Sequence, residues 1–158
     1  MSGVNELLRI EIPLRLDFRF GTGIYFRRFI QVLRDHKKIL GLKCPQCHRV
    51  YLPPRPVCGD CYRELTEWVE VKDTGIIEAY TVSYHPIVDP VTGKPKPVPY
   101  GMALIKLDGA YSSLNHYLSE TDLTKLHVGM RVRAVWRPIR RGFMTDILHF
   151  EVIGDEEA

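Results

Sequence analysis

The sequence has no cysteine outside residues 44–61, lacks long apolar runs and has little net charge. Its 158 residues include four cysteines, and the formal net charge is +3 at pH 7. No apolar stretch approaches the ~20 residues that span a bilayer, and none near residue 1 is typical of a secretion signal. We therefore expect a cytoplasmic protein in a reducing compartment, where disulfides are disfavoured. The small charge imbalance does not demand nucleic acid as a partner.

The sequence also lacks the usual signs of an active site. No glycine-rich phosphate-binding loop ending in lysine is present. Ser112 and Ser113 lack the glycine-flanked turn of a hydrolase nucleophile. Four histidines are isolated in segments that resemble strands or turns: His85, His116, His127 and His149. Because catalysis needs an acid, a base and a nucleophile that converge, we expect no enzyme activity from this chain.

All four cysteines belong to one pattern of paired turns. Cys44 and Cys47 form one C-x2-C turn, Cys58 and Cys61 form a second, and ten residues separate them. Two such turns can close a tetrahedron around Zn²⁺. The alternatives are two disulfides or a redox pair, but both turns lie among prolines and not at the start of a helix. The pattern therefore predicts a structural zinc ion with four sulfur ligands and no open position for water.

Composition and periodicity divide the chain into four segments. We predict an extended arm and a helix in residues 1–41, a zinc ribbon in 42–66, an OB-fold in 67–153 and an acidic tail in 154–158. In the arm, every even-numbered residue from 10 to 20 is apolar, which indicates an extended segment with one buried face. Whether that face packs on the ribbon or on a partner stays open at this point.

The segment after residue 67 is rich in β-branched and aromatic residues and reads as all-β. We predict strands at residues 68–71, 76–85, 100–107, 110–118, 131–137 and 144–152, with a proline-rich loop at 86–99. Residues 121–127 read as a short helix or turn. A five-stranded barrel with a helical connection before its fourth strand is an OB-fold, and an SH3-like barrel is the alternative. The fold class is thus mainly β, with an N-terminal helix and a rubredoxin-like zinc ribbon before the barrel.

The ribbon and barrel together resemble a known family. The residues that carry the resemblance lie in the segments 25–29, 42–47, 50–58, 68–71 and 128–132. They are similar to the acyl-CoA-associated zinc-ribbon/OB-fold proteins. The resemblance implies a non-catalytic accessory or scaffold subunit that accompanies a thiolase, a 3-hydroxy-3-methylglutaryl-CoA synthase or an acyl-CoA hydratase. It also implies that the OB-fold contributes to acyl-CoA binding.

Basic residues of the barrel segment are candidates for binding the phosphates of CoA. The candidates are Arg131, Arg133, Arg137, Arg140, Arg141, Lys94 and Lys96. The first three arginines are odd-numbered, so they can share one face of a strand. Guanidinium groups bind phosphate through two parallel hydrogen bonds, which suits this purpose. The alternative is that these residues form a solvated outer face of the barrel.

An apolar stripe on the predicted helix is the candidate surface for a partner enzyme. Its members are Phe26, Phe29, Ile30 and Leu33, which follow helical spacing. A small zinc ribbon offers little apolar surface to cover them, and exposed apolar patches usually mark interfaces. We therefore predict that the stripe binds the partner. The alternative is that it packs in the core of this chain.

Binding of single-stranded nucleic acid is the alternative function. OB-folds bind nucleic acids with basic grooves and stacked aromatic rings. Tyr80, Tyr84 and Tyr100 could form such a stacking set. Residues 68–158, however, carry 12 acidic and 10 basic side chains, which weakens the attraction to phosphates.

Overall fold

The computed structural model of the chain describes residues 21–89 and 92–154. Its elements are α1 (Gly23–His36), β1 (Ile39–Lys43), β2 (Val50–Tyr51), β3 (Glu67–Val71), β4 (Thr74–Ser83), β5 (Tyr100–Leu107), β6 (Leu114–Leu118), a 3₁₀ turn (Leu123–Lys125), β7 (Arg131–Trp136), a second 3₁₀ turn (Met144–Asp146) and β8 (Ile147–Val152). The predicted arm at residues 10–20 lies outside the described residues, as does the predicted tail beyond residue 154.

The helix α1 is amphipathic and lies against the rest of the chain on one side. Phe29 and Leu33, one turn apart, are fully buried. Near the start of the helix, Tyr25 stacks on Trp68 of β3, with 6.3 Å between ring centroids. The helix ends at Lys37, which adopts a left-handed backbone conformation with φ 53°. This C-terminal turn brings the chain directly into β1.

The ribbon contains a three-stranded antiparallel sheet in the order β2-β1-β3. Residues 68–71, predicted as the first strand of the barrel segment, are part of β3 and pair with β1 from Lys43↔Glu67 to Ile39↔Val71. These residues pair with β1 and not with the barrel because of which strand edges are free. The barrel strand that follows, β4, is paired on one edge with β5 and on the other with β7, whereas β1 has an edge free for β3.

The barrel is closed by five strands in the order β4-β5-β6-β8-β7. Its neighbours are antiparallel except for a short parallel contact between β6 and β8 at Leu118↔Phe150. Gly75 lies where β4 passes between β5 and β7, and a Cβ atom there would collide with the backbone of Lys106 and Leu107. Closure removes the exposed edges of the sheet, and the topology confirms the predicted OB-fold.

Two strands of the barrel are shorter than predicted because their first residues bond elsewhere. The segment 110–118 becomes a strand only from Leu114, since the backbone N–H of Tyr111 donates to Val50 of the ribbon. The segment 144–152 begins as a 3₁₀ turn, and β8 starts at Ile147. The backbone groups that a longer strand would have used are taken up by the ribbon in the first case and by the 3₁₀ turn in the second.

The described apolar side chains form two clusters of unequal size. The larger cluster fills the barrel and includes Phe29 and Leu33 of α1 as well as Ile39 of β1. The smaller cluster lies within the ribbon and consists of Leu42, Cys44, Tyr51, Cys58 and Leu65. The helix is therefore attached to the barrel by apolar packing, although it precedes the ribbon in the sequence.

Candidate metal centre and barrel cleft

The two cysteine turns have the same backbone geometry. In each, the first cysteine donates its N–H to a carbonyl five residues later, and its carbonyl accepts from the N–H four residues later. The residues in that later position, His48 and Tyr62, have positive φ angles of 59° and 56°. This repeated turn directs the two thiols of Cys44 and Cys47 to the same side, and it does the same for Cys58 and Cys61.

The four sulfur atoms converge on one point. The Sγ···Sγ distances are 3.3 Å between Cys44 and Cys61, 3.6 Å between Cys47 and Cys58, and 3.4 Å between Cys58 and Cys61. These separations exceed a disulfide bond of ~2.05 Å. All four sulfurs lie within 4.8 Å of one another, which fits the edges of a tetrahedron with metal–sulfur distances of ~2.3 Å. The four cysteines are therefore positioned to hold zinc, as the sequence predicted.

Tyr51 connects the sulfur site to a charged pair. Its hydroxyl lies 3.2 Å from Sγ of Cys58 and donates to Oδ2 of Asp60 at 2.5 Å. Asp60 also forms an ion pair with Arg49, and this hydrogen bond is the main reason that the pKa of Asp60 is lowered. Arg55 covers the other face of the tyrosine ring, 3.9 Å from its centroid. The phenol is thus held in place beside the metal ligands.

Local hydrogen bonds favour the metal-binding form of Cys58. Burial alone would raise the pKa of this thiol, but hydrogen bonds from the backbone N–H groups of Cys61 and Asp60 help to lower it to about 6. The thiolate is the form that binds zinc. A closed set of four thiolates leaves no position for a reacting water, so the ion would cross-link the ribbon and take no part in catalysis.

The ribbon is fixed to the barrel by a short segment before β6. The backbone N–H of Tyr111 donates to the Val50 carbonyl at 2.7 Å. The hydroxyl of Ser112 accepts from the N–H of Leu52 at 2.6 Å and donates to its carbonyl at 2.8 Å. The rings of Tyr51 and Tyr111 meet edge to face at 5.6 Å. The segment therefore holds the strand that follows the first cysteine turn.

The arginines of the predicted patch have different surroundings. Arg131 forms two hydrogen bonds with Asp108, at 2.8 and 2.7 Å, and is only 18% exposed. Arg133 lines a different cavity, together with Lys37 and Lys72. The Nε of Arg140 donates to the carbonyl of Arg34 in α1 at 2.6 Å. Arg131, Arg133 and Arg140 line neither of the cavities that Arg137 and Arg141 line, so the five arginines do not surround one cavity.

Arg137 and Arg141 lie in a cleft between two loops of the barrel. We define the cleft by the described part of the loop after β4 (residues 84–89 and 92–99) and the loop after β7 (residues 137–146). Two adjoining cavities of about 340 and 320 Å³ share Arg137 in their lining. Arg141 and Phe143 line the first cavity, and Lys96, Tyr100 and Tyr117 line the second. Lys94 is exposed and lines neither.

Aromatic rings hold Lys96 within this cleft. Its Nζ lies 3.9 Å from the ring centroid of Tyr117 and 5.8 Å from that of Tyr100. The two rings themselves meet edge to face at 6.0 Å. The arrangement places one ammonium and two guanidinium groups beside aromatic walls, a combination that suits a planar ligand carrying phosphate groups.

Asp146 shapes the loop that carries both cleft arginines. This carboxylate is 2% exposed and accepts from the backbone N–H groups of Arg141, Gly142 and Phe143 at 2.8, 2.7 and 3.2 Å. Sequence reasoning missed this residue. The available signal was an aspartate four residues after Gly142, since an acidic side chain can bind the backbone of a nearby glycine turn.

His116 supports the same loop from inside the barrel. It is 5% exposed, and its Nε2 lies 3.1 Å from the carbonyl of Met144. Its Nδ1 accepts from the backbone N–H of Tyr117, so the ring is the neutral tautomer that donates to Met144. Burial lowers the pKa of His116. Both nitrogens are used in structural hydrogen bonds, which gives this histidine no proton to exchange with a substrate.

The apolar stripe predicted to bind a partner lies mainly in the core. Phe29 and Leu33 are fully buried, and Phe26 and Ile30 are partly buried and pack against the same cluster. The prediction that Phe29 and Leu33 contact a partner is therefore wrong. The ribbon alone has little apolar surface to cover the stripe, but the helix also packs on the barrel.

Among the described residues, no helix combines the length and apolar character that crossing a membrane requires. Two family models match the chain. The rubredoxin-like zinc ribbon domain of ChsH2 matches residues 33–67, and the C-terminal OB-fold domain of ChsH2 matches residues 68–137. These matches confirm the class that the fold and the sulfur site define, a rubredoxin-like zinc ribbon followed by an OB-fold.

Two curated relatives identify the family more closely. Both are named DUF35 domain-containing scaffold proteins. The protein from Methanocaldococcus jannaschii is 31% identical over 110 residues, which cover 68% of this chain and 74% of the relative. The protein from Methanothermobacter thermautotrophicus is 28% identical over 104 residues, which cover 65% and 74%. The chain belongs to the DUF35 domain-containing family.

Solved structures share the fold. A structure described as an Ltp2-ChsH2(DUF35) aldolase has a TM-score of 0.61 and 22% identity, and the match covers 85% of this chain and 97% of that one. A DUF35 family protein of unknown function from Sulfolobus solfataricus has a TM-score of 0.53 and 24% identity, with 79% and 81% covered. At these identities the similarity establishes the arrangement of ribbon and barrel.

Proposed function

We propose that this protein is a non-catalytic scaffold subunit of an acyl-CoA enzyme of the thiolase or 3-hydroxy-3-methylglutaryl-CoA synthase type. Its OB-fold would contribute to binding the CoA group. The observation that carries this proposal is the cleft between the two barrel loops, where Lys96, Arg137 and Arg141 lie beside the rings of Tyr117 and Phe143. The names of the two curated relatives support the scaffold role.

The chemistry of the cleft matches that of CoA. CoA carries a planar adenine ring and several phosphate groups, which need aromatic surface and positive charge. Guanidinium groups bind phosphate through paired hydrogen bonds, and their charge strengthens each bond. Arg137 is anchored by its Nε–H, which donates to the carbonyl of Thr145 at 2.7 Å. This bond leaves the terminal nitrogens of the guanidinium group directed away from its anchor and available to an anion.

The scaffold role agrees with the character of the two sites. The sulfur site has a closed ligand set, and the buried histidine of the barrel spends both ring nitrogens on structural hydrogen bonds. Among the described residues, the hydroxyls of Thr74 and Ser113 donate to the carboxylates of Asp108 and Glu78, but Asp108 is also bound by Arg131, and Ser113 does not line the cleft. A subunit of this kind would act by holding the substrate and the catalytic subunit together.

Nucleic-acid binding fits the structure less well. Tyr100, one of three tyrosines expected to stack on bases, is 8% exposed. The hydroxyl of Tyr80 donates to the Leu126 carbonyl at 2.7 Å. Tyr84 is 70% exposed, but the other two do not join it to form a stacking surface. A site for single strands would need successive exposed rings along a basic groove.

The test measures partner recovery and ligand binding separately. Affinity purification of the tagged full-length chain from its native host should recover a thiolase or synthase, identified by mass spectrometry. Titration calorimetry with CoA should show binding that weakens about tenfold or more in Lys96→Gln/Arg137→Gln, because two charge-assisted contacts are lost. Lys106→Gln/Lys125→Gln, which removes the same charge outside the cleft, is the matched control.

Two results would contradict the proposal. One is the recovery of RNA-processing or ribosomal proteins in place of a CoA enzyme. The other is tight binding of a short oligonucleotide at physiological salt by a chain that shows no heat with millimolar CoA. Equal weakening by the cleft variant and by the control would mean that CoA responds to net charge and not to the cleft.

A further inference from the structure

The outer surface of α1 carries a row of basic side chains. We define the basic face as Arg27, Arg34, Lys37, Lys38 and Arg140. Arg27 and Arg34 are seven residues apart, so they lie on one side of the helix two turns apart. Lys37 and Lys38 follow at the helix end, and Arg140 joins from the loop after β7 through its bond to the Arg34 carbonyl. Arg27, Arg34, Lys37 and Lys38 are all exposed.

Basic side chains outnumber acidic ones on this face, where Asp35, Glu70 and Asp73 lie nearby. Residues 21–42 contain five lysines and arginines but one acidic residue, Asp35. Asp35 pairs with Arg34 at 2.7 Å, and Lys38 pairs with Glu70 at 2.6 Å. Within the part of the chain that the structure describes, the side chains of Arg27 and Lys37 make no hydrogen bond or ion pair. The face therefore keeps positive charge that the described chain does not neutralise.

The apolar side of the same helix is already used. Phe29 and Leu33 are buried in the core, and Ile24 is the large apolar residue that α1 exposes most, at 73%. Ile24 lies three residues before Arg27, so it extends the row at its N-terminal end. The helix thus offers a partner one exposed aliphatic side chain followed by two turns of positive charge.

We infer that the basic face docks on an acidic surface of the partner enzyme; the identity of that enzyme as a CoA enzyme rests on the proposed function above. Complementary charge accelerates association and selects the correct partner. Protein is favoured over nucleic acid because a single-strand site interleaves cations with exposed aromatic rings. The exposed members of this face include no aromatic residue. The aromatic rings of α1, such as Tyr25 and Phe26, are turned toward the sheet and the core.

The test reverses two charges of the basic face whose side chains form no ion pair with the described residues. Arg27→Glu/Lys37→Glu is compared with Lys106→Glu/Lys125→Glu, which makes the same change in net charge on the barrel. The probes are the protein recovered with the wild-type chain and a 20-nucleotide oligothymidylate. We expect the association rate with the recovered enzyme to fall about tenfold or more in the helix variant and less than about twofold in the control. Zinc content should remain that of the wild type in both. Tm should be unchanged in the helix variant and fall slightly in the control, where Lys106 and Lys125 lose exposed ion pairs with Glu78, Glu120 and Asp122.

A second readout locates the contact. A carbodiimide, which joins amines to carboxylates, should link Lys37 or Lys38 of the wild-type chain to an aspartate or glutamate of the recovered enzyme. If the helix variant associates with the enzyme as fast as the wild type and no such cross-link forms, the inference is overturned. The proposed function still stands in that case, provided that the recovered protein is a CoA enzyme. A recovered protein of another class that shows both effects would support the inference and contradict the proposed function.

Two other outcomes also decide the question. Recovery of no protein from the native host would overturn the inference together with the proposed function. Binding of oligothymidylate that is lost in the helix variant, with enzyme association unaffected, would assign the face to nucleic acid and overturn the inference.

Discussion

The ribbon and the barrel achieve the same end, a stable antiparallel sheet, by different means. The ribbon buries five residues in its own cluster, and two of them are cysteines of the sulfur site. The barrel closes on itself and fills its interior with a much larger apolar cluster that also takes in α1. A cluster as small as that of the ribbon cannot offset the entropy of ordering its loops. The ribbon should therefore depend on metal and the barrel on apolar burial.

The largest effect on folding is expected when one zinc ligand is removed. Cys58→Ser should abolish zinc binding and unfold the ribbon, since structural zinc contributes on the order of 10 kcal/mol to such sites. The barrel should remain folded. Each region contains one of the two tryptophans, Trp68 in the ribbon and Trp136 in the barrel, and both pack against the cluster of their own region. Fluorescence of the single-tryptophan variants Trp68→Phe and Trp136→Phe therefore reports each region separately.

Metal analysis completes this experiment. The wild-type chain should contain one zinc per molecule, and the serine variant should contain none. Loss of the Trp136 signal together with that of Trp68 would show that the barrel also depends on zinc, and the comparison of the two regions would then be wrong. His48→Ala is the matched control, because His48 is outside the sulfur cluster and should leave zinc content unchanged.

A smaller loss of stability is expected from a substitution in the buried side of α1. Phe29→Ala should lower the free energy of unfolding of the barrel by about 3–5 kcal/mol, because it opens a cavity in the barrel cluster. Ile24→Ala, on the exposed side of the same helix, should change it by less than about 0.5 kcal/mol. Urea unfolding followed by Trp136 measures both. Equal effects of the two substitutions would indicate that α1 is not part of the barrel core.

The smallest expected effect concerns an ion pair of the barrel. Arg131 lowers the pKa of Asp108 from 3.8 to about 2. A carboxyl group with a lowered pKa in the folded state adds stability above its unfolded pKa and loses it as pH falls toward the folded one. Asp108→Asn should therefore cost about 1–2 kcal/mol at neutral pH, after allowance for partial exposure. The difference from wild type should shrink between pH 4 and pH 2.

A ribbon residue serves as the comparison for this ion pair. Glu67 pairs with Lys43 at 3.5 Å, and its side chain is 54% exposed. Glu67→Gln should change the free energy of unfolding by less than about 0.5 kcal/mol at any pH, since exposed pairs contribute little. Urea unfolding at a series of pH values tests both variants. A constant difference for Asp108→Asn across the acid range would exclude the ion pair as its cause.

The sequence was sufficient where a function depends on local spacing. The C-x2-C turns specify their own backbone geometry, so the zinc site followed from Cys44, Cys47, Cys58 and Cys61 alone. The long strands were recognisable because β-branched and aromatic residues continue over many positions, and β5 was predicted at its observed limits, Tyr100–Leu107. The order of strands and the helical connection then led to the correct barrel.

Features that depend on distant partners could not be read in the same way. The five residues of β3 fit either sheet, and only the free edge of β1 decides between them. Arg131 and Arg137 look equivalent in the sequence, yet one is held by Asp108, 23 residues away, and the other lines the cleft. The burial of Phe29 depends on a barrel that begins more than 40 residues later in the chain.

The connection between ribbon and barrel has a mechanical consequence. Only two residues separate Val71 of β3 from Thr74 of β4, and α1 spans both regions. Ser112 clamps the ribbon from the barrel side through its two bonds to Leu52. Because three separate attachments join them, we expect the ribbon and the barrel to move as one rigid body. Whatever binds at the helix is thereby kept at a constant distance from whatever occupies the far end of the barrel.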